Sequence, residues 1–373
     1  MICYYISVIF ITIFLLLFIL CKYTSMFSNT TIGNFFRSKL LSYIIKRLLF
    51  SVFTLFLIIT AVFCLIRMMP NEYYNNFKDV NLDNNYHSDI KDSNILNQLL
   101  DFYYNILPFP KKICTSTYLD NQEIKCSCYA TKIINLGYST TYIKNVSVFS
   151  IIKEKCGASF LVGSIAFALQ CLIGYPLGIY MARKENKFVD KFVNNSYIVI
   201  LSIPGLFYIY LAMLMFMFLK FPITFETNNI LSYIPPIATI TFSSSLAVAY
   251  WVKKYILTET NNDYVKLAIS KGLDEKTIFY KHIMRNALIP LIRTIPTSLV
   301  NCLCGFYILE AAFNIPGVGS TLMTAINLQD VYLAQGLIIF FSAASILAYF
   351  IGDLITLFLD KRTILQKEDD TNE

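Results

Sequence analysis

Residues 263–290 read DYVKLAISKGLDEKTIFYKHIMRNALIP and form the greater part of a basic connection between two apolar stretches. The run from Tyr264 to Ser270 contains no helix breaker, and Gly272 stands where a helix needs a left-handed C-terminal cap. Asp274 then has the position of an N-cap for a second helix. The segment therefore predicts two short helices joined by a sharp turn at the surface of an apolar fold.

The chain around this segment is too apolar for a soluble domain. Of its 373 residues, 56% are hydrophobic and only 15% are charged, whereas about a quarter of a soluble domain is charged. A membrane-spanning helix needs about 20 apolar residues. Because the backbone in lipid must satisfy its own hydrogen bonds, such stretches predict helices and an all-α polytopic membrane protein. Seven stretches qualify, at approximately residues 2–21, 47–68, 158–182, 195–219, 233–252, 288–310 and 334–359.

Basic residues mark alternate connections between these stretches. The net charge of +7 is therefore interpreted as membrane topology, with the basic connections and the C-terminus in the cytoplasm, and not as a nucleic-acid surface. The opposite connections, at residues 220–232 and 313–333, contain Lys220 as their single Lys or Arg. The cytoplasmic group comprises Arg37, Lys39, Lys46 and Arg47, then Arg183, Lys184, Lys187 and Lys191, then Lys253 through Arg285, and finally Lys361, Arg362 and Lys367.

The spans divide the chain into five predicted parts. Residues 1–39 are expected to be an extra N-terminal transmembrane helix with a cytoplasmic linker, because no positive charge precedes the apolar run as in a secretory signal. Residues 40–70 hold the first core span, and the polar segment 71–157 is expected to be an extracellular loop or small domain. Residues 158–362 hold five more spans with the cytoplasmic loop 253–287, and residues 363–373 form a cytoplasmic tail.

Four of the ten cysteines lie in the polar segment, namely Cys114, Cys126, Cys128 and Cys156. They allow three disulfide connectivities, and they can equally remain reduced. Cys126 and Cys128 have no neighbouring His or Cys at the spacing of a zinc site, so no metal site is expected.

Motifs of catalysis are missing from the sequence. It has no H-E-x-x-H, no G-x-S-x-G and no G-x-x-x-x-G-K-S/T phosphate loop, and its two histidines, His87 and His282, are far apart. We therefore expect no catalytic, cofactor-binding or metal residues, and no ATP bound by this chain itself.

Several residues at or within the spans admit structural explanations. Glu310 and Asp353 lie at span ends, where a capping or interhelix role is favoured over proton transfer. Arg293 can reach the interface and is assigned no role. Pro204 and Gly205 interrupt an apolar run, and the sequence leaves open a simple kink or an unwound turn beside a translocation path.

The 263–290 segment resembles the peptide and nickel permease subunits of ABC importers, of the OppB/DppB type. Their cytoplasmic loop is similar to D-Y-V-x-x-A-x-x-K-G-L followed by R-N-A-L-x-P. The resemblance extends from about Leu40 to Arg362, and residues 1–39 have no counterpart in it. The matching loop residues are Asp263, Tyr264, Val265, Ala268, Lys271, Gly272, Leu273, Arg285, Asn286, Ala287, Leu288 and Pro290. Further matches are the G-x-S element Gly137 to Ser139, the segment EAAFNIPGVG from Glu310 to Gly319, and Asp330, Gln335 and Gly336.

The resemblance implies a six-helix permease core in the cell membrane, with the predicted N-terminal helix as an addition. It implies a second, homologous permease subunit, two cytoplasmic ABC ATPase subunits that carry ATP and Mg²⁺, and an extracellular substrate-binding protein. The ATPases would dock on Asp263, Tyr264, Ala268, Lys271, Gly272 and Leu273.

The implied substrates are oligopeptides or dipeptides, and nickel is the alternative. A secondary transporter working without ATP is the remaining possibility, but it would be expected to carry ionisable residues in the middle of its spans.

Overall fold

A computed structural model describes residues 39–67, 95–106, 111–119, 122–132, 135–144, 146–304 and 306–359. The predicted extra helix at 2–21 lies outside these residues. The elements of the first half of the chain are α1 (Lys39–Arg67), α2 (Ile95–Ile106), β1 (Lys111–Leu119), β2 (Gln122–Lys132), α3 (Val148–Arg183), α4 (Phe188–Ser202) and α5 (Gly205–Phe218). A 3₁₀ turn at Ile230–Tyr233 leads into α6 (Ile234–Thr260), α7 (Asp263–Ser270), α8 (Glu275–Thr277), a π-helical turn (Ile278–Ile283), α9 (Met284–Cys304), α10 (Tyr307–Ala312), α11 (Val318–Asn327) and α12 (Val331–Leu359).

Among the residues that the structure describes, five helical segments are long and apolar enough to cross a membrane. They are Tyr43–Leu65, Val148–Arg183, Ile230–Thr260, Glu275–Ala312 and Val331–Leu357. Each overlaps one of the predicted spans almost completely, so the all-α fold class of the membrane part is confirmed. The protein is a multi-pass membrane protein.

The predicted span at 195–219 is broken into two helices. α4 and α5 meet at a bend of 115°. Ile203 is extended (φ −84°, ψ 130°), as expected of a residue before proline, and Pro204 follows with φ −54° and ψ 133°. The break therefore lies at Ile203 and Pro204, and Gly205 is the first residue of α5.

The predicted extracellular segment contains a β-hairpin in addition to α2. β1 and β2 pair antiparallel, with Thr115 opposite Ser127. The helical fold class thus holds for the membrane-spanning part, and this hairpin is the exception outside it.

Backbone contacts divide the chain into two compact units, one from residues up to 154 with 324–342, the other from 155–323 with residues from 343 onward. In the first unit, a single buried carboxylate oxygen of Asp330 accepts four hydrogen bonds. The donors are Ser139 Oγ at 2.6 Å and the amides of Thr140 at 3.0 Å, Thr141 at 3.1 Å and Tyr142 at 3.1 Å. Its other oxygen accepts from the Leu333 amide at 3.2 Å, which caps α12. Asp330 therefore fixes the G-x-S turn to the start of α12.

In the second unit, α3 packs tightly on α6. Gly174 and Gly178 form a small-xxx-small pair on α3, and a Cβ at Gly178 would lie 2.6 Å from the Ala249 carbonyl oxygen. Only glycine permits this approach. Nearby, Met181, Val193, Leu246 and Ala249 form one apolar cluster of α3, α4 and α6.

Candidate partner-docking site

The predicted cytoplasmic loop, 253–287, begins within the last two turns of α6, and the eight-residue helix α7 follows α6 after two residues. Its N-cap, Asn262, makes no side-chain capping bond. Instead, Glu259 Oε2 accepts hydrogen bonds from Asn262 Nδ2 and from the Tyr264 hydroxyl, both at 2.7 Å. Burial raises the pKa of the Tyr264 phenol, so Tyr264 remains a neutral donor at physiological pH. Asp263 pairs with Lys266 at 2.8 Å on the exposed side, which contributes little stability.

The turn after α7 is a Schellman motif. Lys271 ends the helix, and Gly272 follows with φ +75°. The Gly272 amide donates to the Ile269 carbonyl at 2.9 Å and the Leu273 amide donates to the Ala268 carbonyl at 3.4 Å, which are the two bonds of this motif. The left-handed cap that the sequence predicted at Gly272 is confirmed.

The predicted second helix begins at Asp274 and is continuous with α9. The Asp274 carboxylate accepts a hydrogen bond from the Thr277 amide at 3.1 Å, as the sequence predicted. Hydrogen bonds from Thr277 also hold the pKa of that carboxyl below its usual range. α8 then passes through the π-helical turn into α9.

One side of α7 is buried in an apolar cluster. Val265 is 2% exposed and Ala268 is 7% exposed. They pack with Val252, Ile256, Ile278, Ile283, Ala287 and Leu291. Of the residues predicted to couple to an ATPase, Ala268 is therefore on the packed side, and its small side chain lets α7 lie close to its support.

The other side of α7 is exposed and partly apolar. Leu267 is 56% exposed, Ile269 is 61% exposed, and Leu273 in the turn is 41% exposed. Asp263, Lys271 and Gly272 are also exposed, and Tyr264 is half-buried. These exposed residues of α7 and its turn are called the docking surface, which consists of Asp263, Leu267, Ile269, Lys271, Gly272 and Leu273.

Sequence reasoning missed Leu267 and Ile269. Five of the eight residues of α7 are apolar, so hydrophobic periodicity does not separate the packed side from the exposed side. Only the packing against α6 and α9 makes that distinction.

Two polar links hold the helices that support this cluster. Lys253 Nζ on α6 lies 2.7 Å from Asp190 Oδ1 on α4, and the Asn186 amide donates to Asp190 Oδ2 at 2.8 Å. Arg183 at the end of α3 donates to the Tyr280 hydroxyl at 2.9 Å. The helices that carry the docking surface are therefore held to α3 and α4 by polar contacts as well as by apolar packing.

The acidic residues at the span ends have structural partners. Glu310 accepts hydrogen bonds from the amides of Gly319 at 2.8 Å and Ser320 at 3.2 Å, in the first turn of α11. Asp353 pairs with Arg293 at 2.8 Å. The capping and interhelix interpretations are confirmed, and Arg293, which was assigned no role from sequence, pairs with Asp353.

The cysteines of the predicted extracellular segment fall in two places. Cys114 and Cys128 are directly opposed in the backbone register of the hairpin, and Cys126 lies opposite Ser116. Cys156 is a free thiol within α3. A disulfide in the hairpin stays a prediction.

Comparison with known proteins places this geometry in context. Residues 174–365, about half of the chain, match the family described as binding-protein-dependent transport system inner membrane component. The chain is 28% identical over 214 residues to the oligopeptide transport system permease protein AmiC of Streptococcus pneumoniae, covering 57% of this chain and 43% of AmiC. It thus spans less than half the length of that relative.

Two further relatives differ in their named substrates. The dipeptide transport system permease protein DppB of Lactococcus lactis is 26% identical over 330 residues, which are 87% of this chain and 100% of DppB. The nickel import system permease protein NikB of Staphylococcus aureus is 23% identical over 239 residues, 64% of this chain and 71% of NikB.

Proposed function

Because this chain belongs to the binding-protein-dependent transport system inner membrane components and is an ABC importer permease of the peptide and nickel type, we propose that it serves peptide uptake. It would be one of two different permease subunits that line a pathway between them. The chain itself is non-catalytic, and ATP and Mg²⁺ bind to partner ATPases. An extracellular binding protein delivers the peptide.

The extent of similarity favours peptide over nickel as the substrate. The match to a dipeptide permease covers 100% of that protein, whereas the match to the nickel permease covers 71%. A nickel importer remains the second candidate because a nickel permease is among the relatives. Reconstituted transporter separates the two, since peptide uptake should resist an excess of Ni²⁺ and radioactive Ni²⁺ should not accumulate.

The observation that carries the proposal is the docking surface. A short helix with one side fully packed and three apolar side chains exposed on the other is suited to a partner groove, where those side chains lose their contact with water. The Schellman turn and the polar contacts of its supporting helices prevent α7 from deforming locally. Movement of a docked ATPase would therefore displace α6 and α9 and not merely bend the loop.

In the proposed cycle, ATP closes the ATPase dimer and draws the docked helices together. The spans then change from inward-facing to outward-facing, and the binding protein releases peptide into the opening. Hydrolysis resets the arrangement. Peptide itself shifts this equilibrium only to the extent that it binds the two states with different affinity.

The test is a charge placed on the exposed side of α7. Ile269→Asp should abolish co-purification of a P-loop ATPase, because an aspartate loses its hydration when buried in an apolar interface. It should leave the chain inserted and folded, since Ile269 is 61% exposed.

The matched control is Asn261→Asp, which adds the same charge in the same loop at an exposed position. It should retain the ATPase. Full ATPase recovery with Ile269→Asp would show that α7 is not the docking element, and peptide uptake that persists without any ATPase would favour a secondary transporter.

A further inference from the structure

The charged residues of α1 give a depth scale for the first described span. No charged residue lies between Arg47 and Arg67. Arg67 is twenty positions after Arg47, a rise of about 30 Å along a helix, which is about the thickness of the hydrocarbon core. Leu57 is therefore at the midplane, and residues from Leu57 toward Arg67 lie in one leaflet, here called the Arg67 leaflet.

α2 contacts α1 within this range. The Tyr103 hydroxyl donates to the Phe56 carbonyl at 3.0 Å and lies 2.6 Å from Thr60 Oγ1. Its ring stacks on Phe56 with 5.0 Å between centroids, and the Phe102 and Phe63 rings are 5.5 Å apart. Phe63 is about 6 Å from Arg67 along the helix and Phe56 about 16 Å, so these contacts reach from near the interface to the midplane.

The composition of α2 is compatible with a position within the membrane. Its sequence, ILNQLLDFYYNI, contains no Lys or Arg. Leu99, Leu100, Phe102, Tyr103 and Ile106 recur at helical spacing on one side, while the exposed Asn97 lies on the other. A helix with one apolar and one polar side is the kind that lies in a membrane interface.

The Tyr103 hydroxyl, which α2 places near the midplane, has hydrogen-bond partners. A tyrosine hydroxyl at the depth of Phe56 would lose its hydration, and the loss is offset here because the hydroxyl bonds to a backbone carbonyl and a threonine. In water such bonds would compete with solvent and hold a short helix only weakly. They are effective where water is scarce.

We propose that α2 is an amphipathic helix embedded in the Arg67 leaflet, with its apolar side against α1 and lipid acyl chains and its polar side toward the headgroups. α2 is then held to the bilayer and does not lie in water. Leu57 is 49% exposed beside the α2 contact, which continues the lipid-facing surface of α1.

Tryptophan quenching in proteoliposomes of the full-length chain tests this inference. Trp251 is the single tryptophan, so Trp251→Phe provides a silent background. In that background Leu100→Trp on α2 should be quenched by phosphatidylcholine brominated on its acyl chains as strongly as the control Leu57→Trp on α1. Asn97→Trp, at an exposed position on the polar side, should lose less emission.

Two outcomes overturn the proposal. If aqueous iodide quenches Leu100→Trp and brominated lipid does not, α2 lies in water; if neither quenches it, protein covers α2.

A measurement on the unaltered protein guards against a variant that misfolds. A phosphatidylcholine with a photoreactive diazirine in its acyl chain should label the peptide that contains residues 95–106 as well as α1. Label on α1 alone would contradict the embedded position.

Discussion

At the scale of the residue, the docking surface depends on the left-handed conformation of Gly272. A Cβ added there meets no atom within 4 Å, so any cost of substitution comes from the backbone. For a residue with a Cβ, that φ of +75° costs roughly 1 to 2 kcal/mol, which shifts a local equilibrium about 5- to 30-fold. Gly272→Ala should therefore reduce peptide uptake by about that factor while the chain still inserts.

Gly157→Ala is the matched control for this prediction. Gly157 lies inside α3, also with no atom within 4 Å of an added Cβ, and its φ is not positive. It should have normal uptake, and Gly272→Asn should lie between the two because asparagine tolerates the left-handed region. Normal uptake by Gly272→Ala would mean that the Schellman turn is not required.

The Asp190–Lys253 pair gives a second prediction at this scale. Removing one partner of a buried pair costs up to about 3 to 5 kcal/mol. The Asp190 side chain is 3% exposed and that of Lys253 is 17% exposed, so an unpaired Asp190 is the worse case. Lys253→Met should lower the thermal unfolding temperature more than Asp190→Asn does, and the double variant should recover part of the loss.

Thermal unfolding in detergent, monitored by size-exclusion chromatography, measures the unfolding temperature of each variant. Asp263→Asn serves as the control, because the Asp263 side chain is 95% exposed in its pair with Lys266 and should change the temperature little. Strictly additive losses in the double variant would show that Asp190 and Lys253 do not interact.

At the scale of the element, the bend between α4 and α5 is attributed to Pro204, which restricts Ile203 and has no amide hydrogen. Pro204→Ala should straighten the pair. Spin labels at Ile198 and Leu211 would be about 20 Å apart on a straight helix and closer across the bend. The distance between the labels should therefore increase in Pro204→Ala. The control is Pro235→Ala in the first turn of α6, where proline is compatible with a helix, and it should leave the distance unchanged. An unchanged distance in Pro204→Ala would assign the bend to packing, such as the 2.7 Å bond from the Tyr208 hydroxyl to the Thr239 carbonyl.

Elements differ in how far the sequence determines them. The spans at α1, α3, α6, α9 and α12 were predictable, since a long apolar run in lipid has no alternative to a helix. The contact of α2 with α1 was not, because it joins Tyr103 to Phe56, far apart in the chain. The β1–β2 hairpin is local, but its strands lack the strict alternation of apolar and polar residues that predicts a strand.

The same limit applies to the docking surface. The Gly272 turn and the Asp274 cap are local and followed from sequence. The burial of Ala268 and the exposure of Leu267 depend on α6 and α9, and no pattern within α7 reports them.

At the scale of the whole molecule, the proposed function requires α7 to face the cytoplasm, where ATP is available. One span, Ile230–Thr260, separates Thr227 from Asn262, so these two exposed residues must lie on opposite sides of the membrane. The loop after Asn262 is rich in Lys and Arg, while residues 220–232 contain Lys220 alone. The positive-inside rule therefore predicts that Asn262 is cytoplasmic.

A membrane-impermeant maleimide tests this orientation in a background whose ten native cysteines are replaced. In intact cells it should label Thr227→Cys and leave Asn262→Cys unlabelled, and permeabilised cells should show both. The labelling of each variant in permeabilised cells is its own control, because it shows that the thiol is reactive. The reversed pattern would place α7 outside the cell, where no ATPase meets it, and would remove the basis of the docking surface. Equal labelling of both residues in intact cells would show that α6 does not span the membrane.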